Sequence, residues 1–268
     1  MKTSWISGLA GWVLVWSCLL PENPALAAMY NYQMYPGNGI PGAVGNATLA
    51  MSNTTTTVSA YFIKGIGSFI ENLVIFIDCA PGGFTSTSPF SDKGSALETA
   101  ISGVNVSRSV ANFAPGFEAD YAIALGVNSG SAVYKLVQDD TGAHLQLVRS
   151  PLIFGPMDSP NHPNYGFQFD WVDIGLPNLR TNFFKFETSY ISSNGYRTLE
   201  SFEGLTGNPG YNTITFTNYD TYGVNPVPEN TNVALALFGG IVVTVACGAR
   251  VRRWRAGPSQ RGRVAEKV

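Results

Sequence analysis

From Ala47 onward, apolar and polar positions alternate with the two-residue period of β-strands. Within Asn53 to Ile63, Val58, Ala60 and Phe62 alternate with Ser59 and Tyr61, behind a run of threonines. Leu73 to Ile77 is continuously apolar, the pattern of a strand covered on both faces. Tyr121, Ile123, Leu125 and Val127 share one face of the next strand. Val133 to Val137 and Leu145 to Val148 flank Asp139-Asp140-Thr141-Gly142, which reads as a hairpin turn. Tyr165 to Trp171, Phe183 to Ile191 and Thr213 to Thr217 follow, bringing the expectation to about eight strands. Gly, Pro, Asn and Ser clusters separate them, and Gly65-Ile66-Gly67 reads as a turn. Only Ser95 to Ser102, with Leu97 and Ile101 four apart, predicts a helix. The fold class expected is therefore all-β: a jelly-roll-like β-sandwich, with a closed barrel as the alternative.

The two ends of the chain break this pattern. Lys2 precedes Trp5 to Leu20, a stretch without charge, and Ala25-Leu26-Ala27 follows. A basic start, a short apolar core and small residues at the cleavage spacing predict a signal peptide over 1–27. At the other end, Thr231 to Ala249 contains no charged residue, and Arg250, Arg252, Arg253 and Arg255 follow at once. That length approaches the roughly 20 residues needed to cross a bilayer. Clustered arginines act as a stop-transfer signal on the cytoplasmic side. The expected organisation is a signal peptide, an irregular lead-in over 28–46, a β-sandwich over 47–224, a sorting and transmembrane segment over 225–256, and a basic cytoplasmic tail over 257–268. The address expected is the cell envelope or surface, with one C-terminal transmembrane helix and the membrane as a partner.

Charge sharpens the division. Residues 28–226 hold eight Lys and Arg against fifteen Asp and Glu, so a near-neutral total conceals an acidic ectodomain and a basic tail. Nucleic acid is not expected as a partner, because that binding depends on neutralising phosphates. Of the three cysteines only Cys79 lies between the two address segments, so no internal disulfide is available there. It is expected as a largely buried, reduced thiol at the end of the central strand.

Val227-Pro228-Glu229, a single apolar span and an arginine cluster resemble the PEP-CTERM sorting signal, over roughly residues 226 to 255. Asn230 stands where that family usually carries a second proline. The resemblance implies an exosortase-type membrane protease as a partner and an extracellular polysaccharide matrix as the setting. More loosely, the ectodomain is similar to DOMON and family 9 carbohydrate-binding β-sandwiches. The cues are Ile75-Phe-Ile-Asp78 followed by Gly82-Gly83, Phe117-Glu118-Ala119-Asp120-Tyr121, and Ile174-Gly-Leu-Pro177.

Candidate chemistry is sparse. Hydrolytic or nucleophilic catalysis needs a base beside a nucleophile. His144 shares a strand with Leu145 and Leu147 on its opposite face, His162 lies in the loop Ser159 to Pro163, and neither accompanies a nucleophile motif. No catalytic residue is assigned and an enzyme is not expected. Asp170 and Asp173, like Asp139-Asp140, lack the spacing of a calcium loop and read as capping or solvated groups. Cys79 has no cysteine partner for zinc, so neither metal nor cofactor is expected. Tyr165, Phe167, Phe169 and Trp171 share one strand face. Such a stripe is either sandwich core, the favoured reading, or a flat platform for sugar rings. Two functions follow: a non-catalytic exported surface or matrix protein, or a carbohydrate-binding module on the cell surface.

Overall fold

The computed structural model describes residues 29–34, 44–152, 159–179 and 181–223. The signal peptide over 1–27, the sorting motif Val227-Pro228-Glu229, the apolar span and the arginines Arg250, Arg252, Arg253 and Arg255 lie outside the described residues. The chain divides into two units after Gly223. Among the described residues no helix is long and apolar enough to cross a membrane.

The unit ending at Gly223 is mostly β, built from largely antiparallel sheets in an arrangement consistent with a β-sandwich. One sheet holds β1 (Tyr30–Gln33), β2 (Thr48–Asn53), β3 (Thr57–Ile63) and β9 (Asn164–Asp170), in that order. The second contains β4 (Asn72–Asp78), β6 (Tyr121–Gly126), β7 (Gly130–Asp139), β8 (Gly142–Arg149), β10 (Phe184–Ile191) and β13 (Asp220–Tyr222), ordered β13-β10-β4-β6-β7-β8. A small third sheet joins β11 (Leu205–Gly207), β12 (Thr213–Phe216) and β5 (Val110–Asn112), with β12 and β5 parallel.

The continuous apolar run of β4 has the cause its sequence suggests. Leu73, Ile75 and Ile77 enter a core shared with Val58, Phe62 and Phe167 of the four-stranded sheet. Val74 and Phe76 enter a second core with the small sheet and α1 (Ala96–Ser102). The same alternation runs along β6, where Ile123 and Leu125 face one core and Ala122 and Ala124 the other. Short side chains on the helical side let α1 approach the sheet. Ser95 caps that helix, accepting from the Glu98 amide while the Glu98 carboxylate accepts from the Ser95 amide, a reciprocal capping box.

Several elements depart from the sequence expectation. The lead-in over 28–46 is not wholly irregular: Tyr30 and Tyr32 pack against the main core while β1 pairs with β2. Surrounding Pro and Gly hide this four-residue strand from a periodicity reading. The expected strand from Asn53 to Ile63 divides at Thr54, whose hydroxyl accepts from the Thr56 and Thr57 amides and turns the chain. Trp171 starts a short 3₁₀ turn, Trp171–Ile174, instead of ending β9. Thirteen strands occur among the described residues against the eight or so expected, because β1, β5, β11 and β13 are too short to show a period and β2 is a strand of its own before the turn at Thr54. The hairpin of β7 and β8 forms with Asp139 opposite Gly142. Its turn is held by Asp139 Oδ1, which accepts from the Thr141 amide at 2.8 Å.

Candidate functional site

The aromatic stripe is core. Tyr165, Phe167, Phe169 and Trp171 are at most 1% exposed and lie in the cluster between the two large sheets. The cross-strand pairs Phe62 with Tyr165, Ala60 with Phe167 and Val58 with Phe169 turn these rings inward. No flat face remains for a sugar, so the platform reading of these four residues is corrected: filling the space between two sheets takes all four rings.

A cleft of about 540 Å³ instead opens where β4 ends and β6 begins, lined by Cys79, Asp120, Tyr121, Lys135 and Gln138 with the bare backbone of Gly82, Gly83 and Gly175. A bay of about 300 Å³ adjoins it through Cys79 and Ala80 and is bounded by Asp78, Glu118, Phe183 and Lys185. Its walls are tied together by polar contacts. Asp120 Oδ2 accepts from the Cys79 and Ala80 amides, each at 2.9 Å. Glu118 accepts from the Gly82 amide at 3.1 Å, and Asp78 from the Glu118 amide at 3.2 Å. Cys79 Sγ donates to the Ile174 carbonyl at 3.1 Å. Lys185 Nζ bonds Asp78 at 3.0 Å and the Gly116 carbonyl at 2.7 Å, and lies 5.0 Å from the centre of the Tyr219 ring. Two glycines are demanded by close approach. A Cβ at Gly83 would sit 2.7 Å from the carbonyl oxygens of Glu118 and Ala119, and one at Gly175, where φ is +74°, would sit 2.6 Å from the Tyr121 hydroxyl.

Electrostatically the cleft favours neutral acids. Burial raises the Cys79 thiol pKa, and Asp120 beside it adds to the effect, which is opposite to the shift that activates a cysteine nucleophile. Cys79 is partly rather than fully buried and is a free thiol, less covered than the sequence suggests. Burial also raises the Asp120 pKa, against the lowering effect of its two amide donors. Lys135 is exposed, and its side chain makes no hydrogen bond or ion pair among the described residues. The arrangement can offer an ammonium, a phenol, an amide and a carboxyl group to a polar ligand.

The remaining candidates lie elsewhere. Asp170 and Asp173 both bind Arg149 Nη1, at 2.9 and 2.8 Å, and Asp173 also accepts from the Asp170 amide, so they fasten β8 to the turn after β9. His144 Nδ1 lies 3.3 Å from the Gly142 carbonyl and 3.8 Å from Asp139 in the hairpin, and His162 donates its amide to Ser159. Among the described residues no three His, Cys, Asp or Glu side chains are grouped to hold a metal.

Sequence reasoning missed a set of buried charges away from the cleft. Arg197 is fully buried; its guanidinium donates to Ser189 and to the Ala100 and Ile101 carbonyls at the end of α1. Desolvation pulls its pKa down to about 9, which leaves it charged at neutral pH against the negative end of the helix. Glu187 accepts from the Ala114 amide, and burial pushes its pKa up to about 8. Glu203 accepts from the Thr188 amide and hydroxyl, and its pKa rises for the same cause. Their spacing gives no sign of burial.

The cleft had a signal of another kind. The three short stretches cited for a carbohydrate-binding or DOMON likeness converge on it: Asp78 with Gly82-Gly83, Glu118 to Tyr121, and Ile174-Gly175. No family model matches the chain, and no curated protein matches it.

Proposed function

We propose that this chain is an exported, non-catalytic surface or extracellular-matrix protein. In this reading a jelly-roll-like β-sandwich is displayed outside the cell and held by one C-terminal span, Val233 to Ala249, or released by an exosortase-type protease acting at Val227-Pro228-Glu229. What supports the reading is how the β unit fits between the two address segments. Its first strand starts at Tyr30, just after the expected cleavage at Ala27, and its last ends at Tyr222, just before Pro226. The two terminal strands meet. The Tyr30 and Tyr222 rings are 5.1 Å apart, and the Tyr32 hydroxyl donates to the Thr221 carbonyl at 2.8 Å. A domain whose ends come together can be threaded out by an N-terminal signal and tethered by a C-terminal one without strain on either strand. Expressed in a bacterium with an intact envelope, the protein should resist carbonate extraction from membranes and be digested by protease added outside the cell. An unprocessed chain in the cytosol, shielded from that protease, refutes the proposal.

The second reading, a carbohydrate-binding module, now attaches to the cleft and not to the stripe. Asp120, Tyr121, Lys135 and Gln138 are a donor and acceptor set suited to hydroxyl groups, and the cavity lies within the usual range of about 300–1,000 Å³ for ligand sites. A glycan array probed with residues 28–226 and with Asp120→Asn tests it. Saccharide binding that the substitution abolishes supports the module, and silence across the array removes it.

A further inference from the structure

Most large apolar side chains of the β unit are buried; the exposed ones include Tyr61, Ile63, Ile66 and Ile70 in one stretch and three within twelve positions of the loop after β9. Val172 is 58% exposed, Leu179 51% and Phe183 58%. Hydrogen bonds cross the loop that carries them. The amide of Leu176 donates to the Trp171 carbonyl, that of Asn182 to the Leu179 carbonyl, and the Asn182 side chain to the Pro177 carbonyl. Val172 and Phe183 each adjoin one partner of a ring contact, Trp171 with Phe184 at 6.1 Å.

The loop also borders the point where the β unit ends. Phe184 pairs with Tyr222, and a Cβ at Gly223 would fall 2.2 Å from the Asn182 carbonyl oxygen and 3.1 Å from Phe183 Cα. In the sequence, seven residues, 224–230, separate Gly223 from the uncharged stretch that starts at Thr231. Fully extended, they span at most about 25 Å. We infer that Val172, Leu179 and Phe183 form a lipid-contacting edge that rests in the interfacial layer of the membrane to which the protein is anchored, and so orients the domain on it. This inference rests on the membrane-anchored reading above.

Cations offset part of the charge near the loop: Asp170 and Asp173 share Arg149, and Asp78 pairs with Lys185, while Glu118, which bounds the same bay as Phe183, forms no ion pair among the described residues. Exposed apolar residues at the other end of β10 provide the contrast. Val106 is 99% exposed beside Gly195, beyond the Ile191 end of that strand, and so stands about 20 Å or more from Phe183. It has no short tether to a span and should remain in water.

The test uses the full chain in vesicles of phosphatidylcholine with a minority of phosphatidylglycerol. Cys18, Cys79 and Cys247 are changed to Ser, and an environment-sensitive fluorophore is placed at Leu179→Cys or Val106→Cys. The label at 179 should shift to the blue and be quenched by lipid-borne quencher, while the label at 106 stays unquenched. A chain that floats with the vesicles but keeps the label at 179 in water overturns the edge and spares the anchor. A chain that does not float removes both. A second variant, V172S/L179S/F183S with native cysteines, alters only exposed side chains; in vesicles its loop should be cut by added protease several-fold faster than wild type. Equal rates overturn the inference, as does protection that vanishes on diluting the protein within the bilayer, which would mean that a second copy covers the loop.

Discussion

The six-stranded sheet packs differently on its two faces. Toward the four-stranded sheet it meets large rings: Phe62, Phe167, Phe169 and Trp171 fill the gap with Phe184, Phe186 and Tyr222. Toward α1 and the small sheet it presents Ala122, Ala124 and Ala132 beside Phe76 and Tyr134, and that side also holds Glu187 and Arg197. The contrast shows how one strand can serve two layers. Along β6, alternate residues are large or small according to whether the neighbour is a distant sheet or a close helix. Sheets stacked about 10 Å apart need long side chains to fill the space, and a helix lying on alanine does not.

The largest expected effect comes from emptying the ring-filled side. Phe167→Ala or Phe169→Ala in residues 28–226 should lower stability by about 3–5 kcal/mol, read as a fall in urea midpoint. A change below 1 kcal/mol would mean that these rings do not carry the inter-sheet core. Next is the opposite operation on the opposite side: Ala124→Leu should cost roughly 1–3 kcal/mol because α1 leaves no room for it. A neutral result would show slack in the helical layer and erase the contrast.

A smaller effect concerns the buried acid of the helical side. The pKa of Glu187 rises from 4.5 to about 8 on folding, so the unfolded chain releases its proton first as pH increases. Stability from this group is complete below pH 4.5 and is lost progressively as pH rises toward 8. Glu200, Glu203, Asp120 and Asp220 are shifted in the same direction. Thermal unfolding should therefore move to lower temperature between pH 5 and pH 8, with a shallower slope in Glu187→Gln. Stability that increases over that interval contradicts the assignment.

The two sides were not equally legible from sequence. The unbroken apolar run of Leu73 to Ile77 announces a strand covered twice, and Leu97 with Ile101, four apart, marks α1. The stripe at 165, 167, 169 and 171 announces a buried face. Arg197, Glu187 and Glu203 could not be read this way, because a charged residue in a polar stretch looks solvated until tertiary contacts cover it. The cleft depends on register: Cys79 and Asp120 are 41 positions apart and meet because Ile77 pairs with Tyr121. Short strands such as β5 and β13 have no period to detect, and they form because longer neighbours offer an edge.

The central proposal is a β domain that is exported, cut free of its signal, and either held by the C-terminal span or released at Val227-Pro228-Glu229. Mass spectrometry of the protein from the envelope of its native host measures this most directly. The predicted species begins at Ala28; one that still ends in Arg261 to Val268 is the anchored form, and one that lacks this peptide is the released form. A species that retains Met1 contradicts the proposal, because it denies export by cleavage.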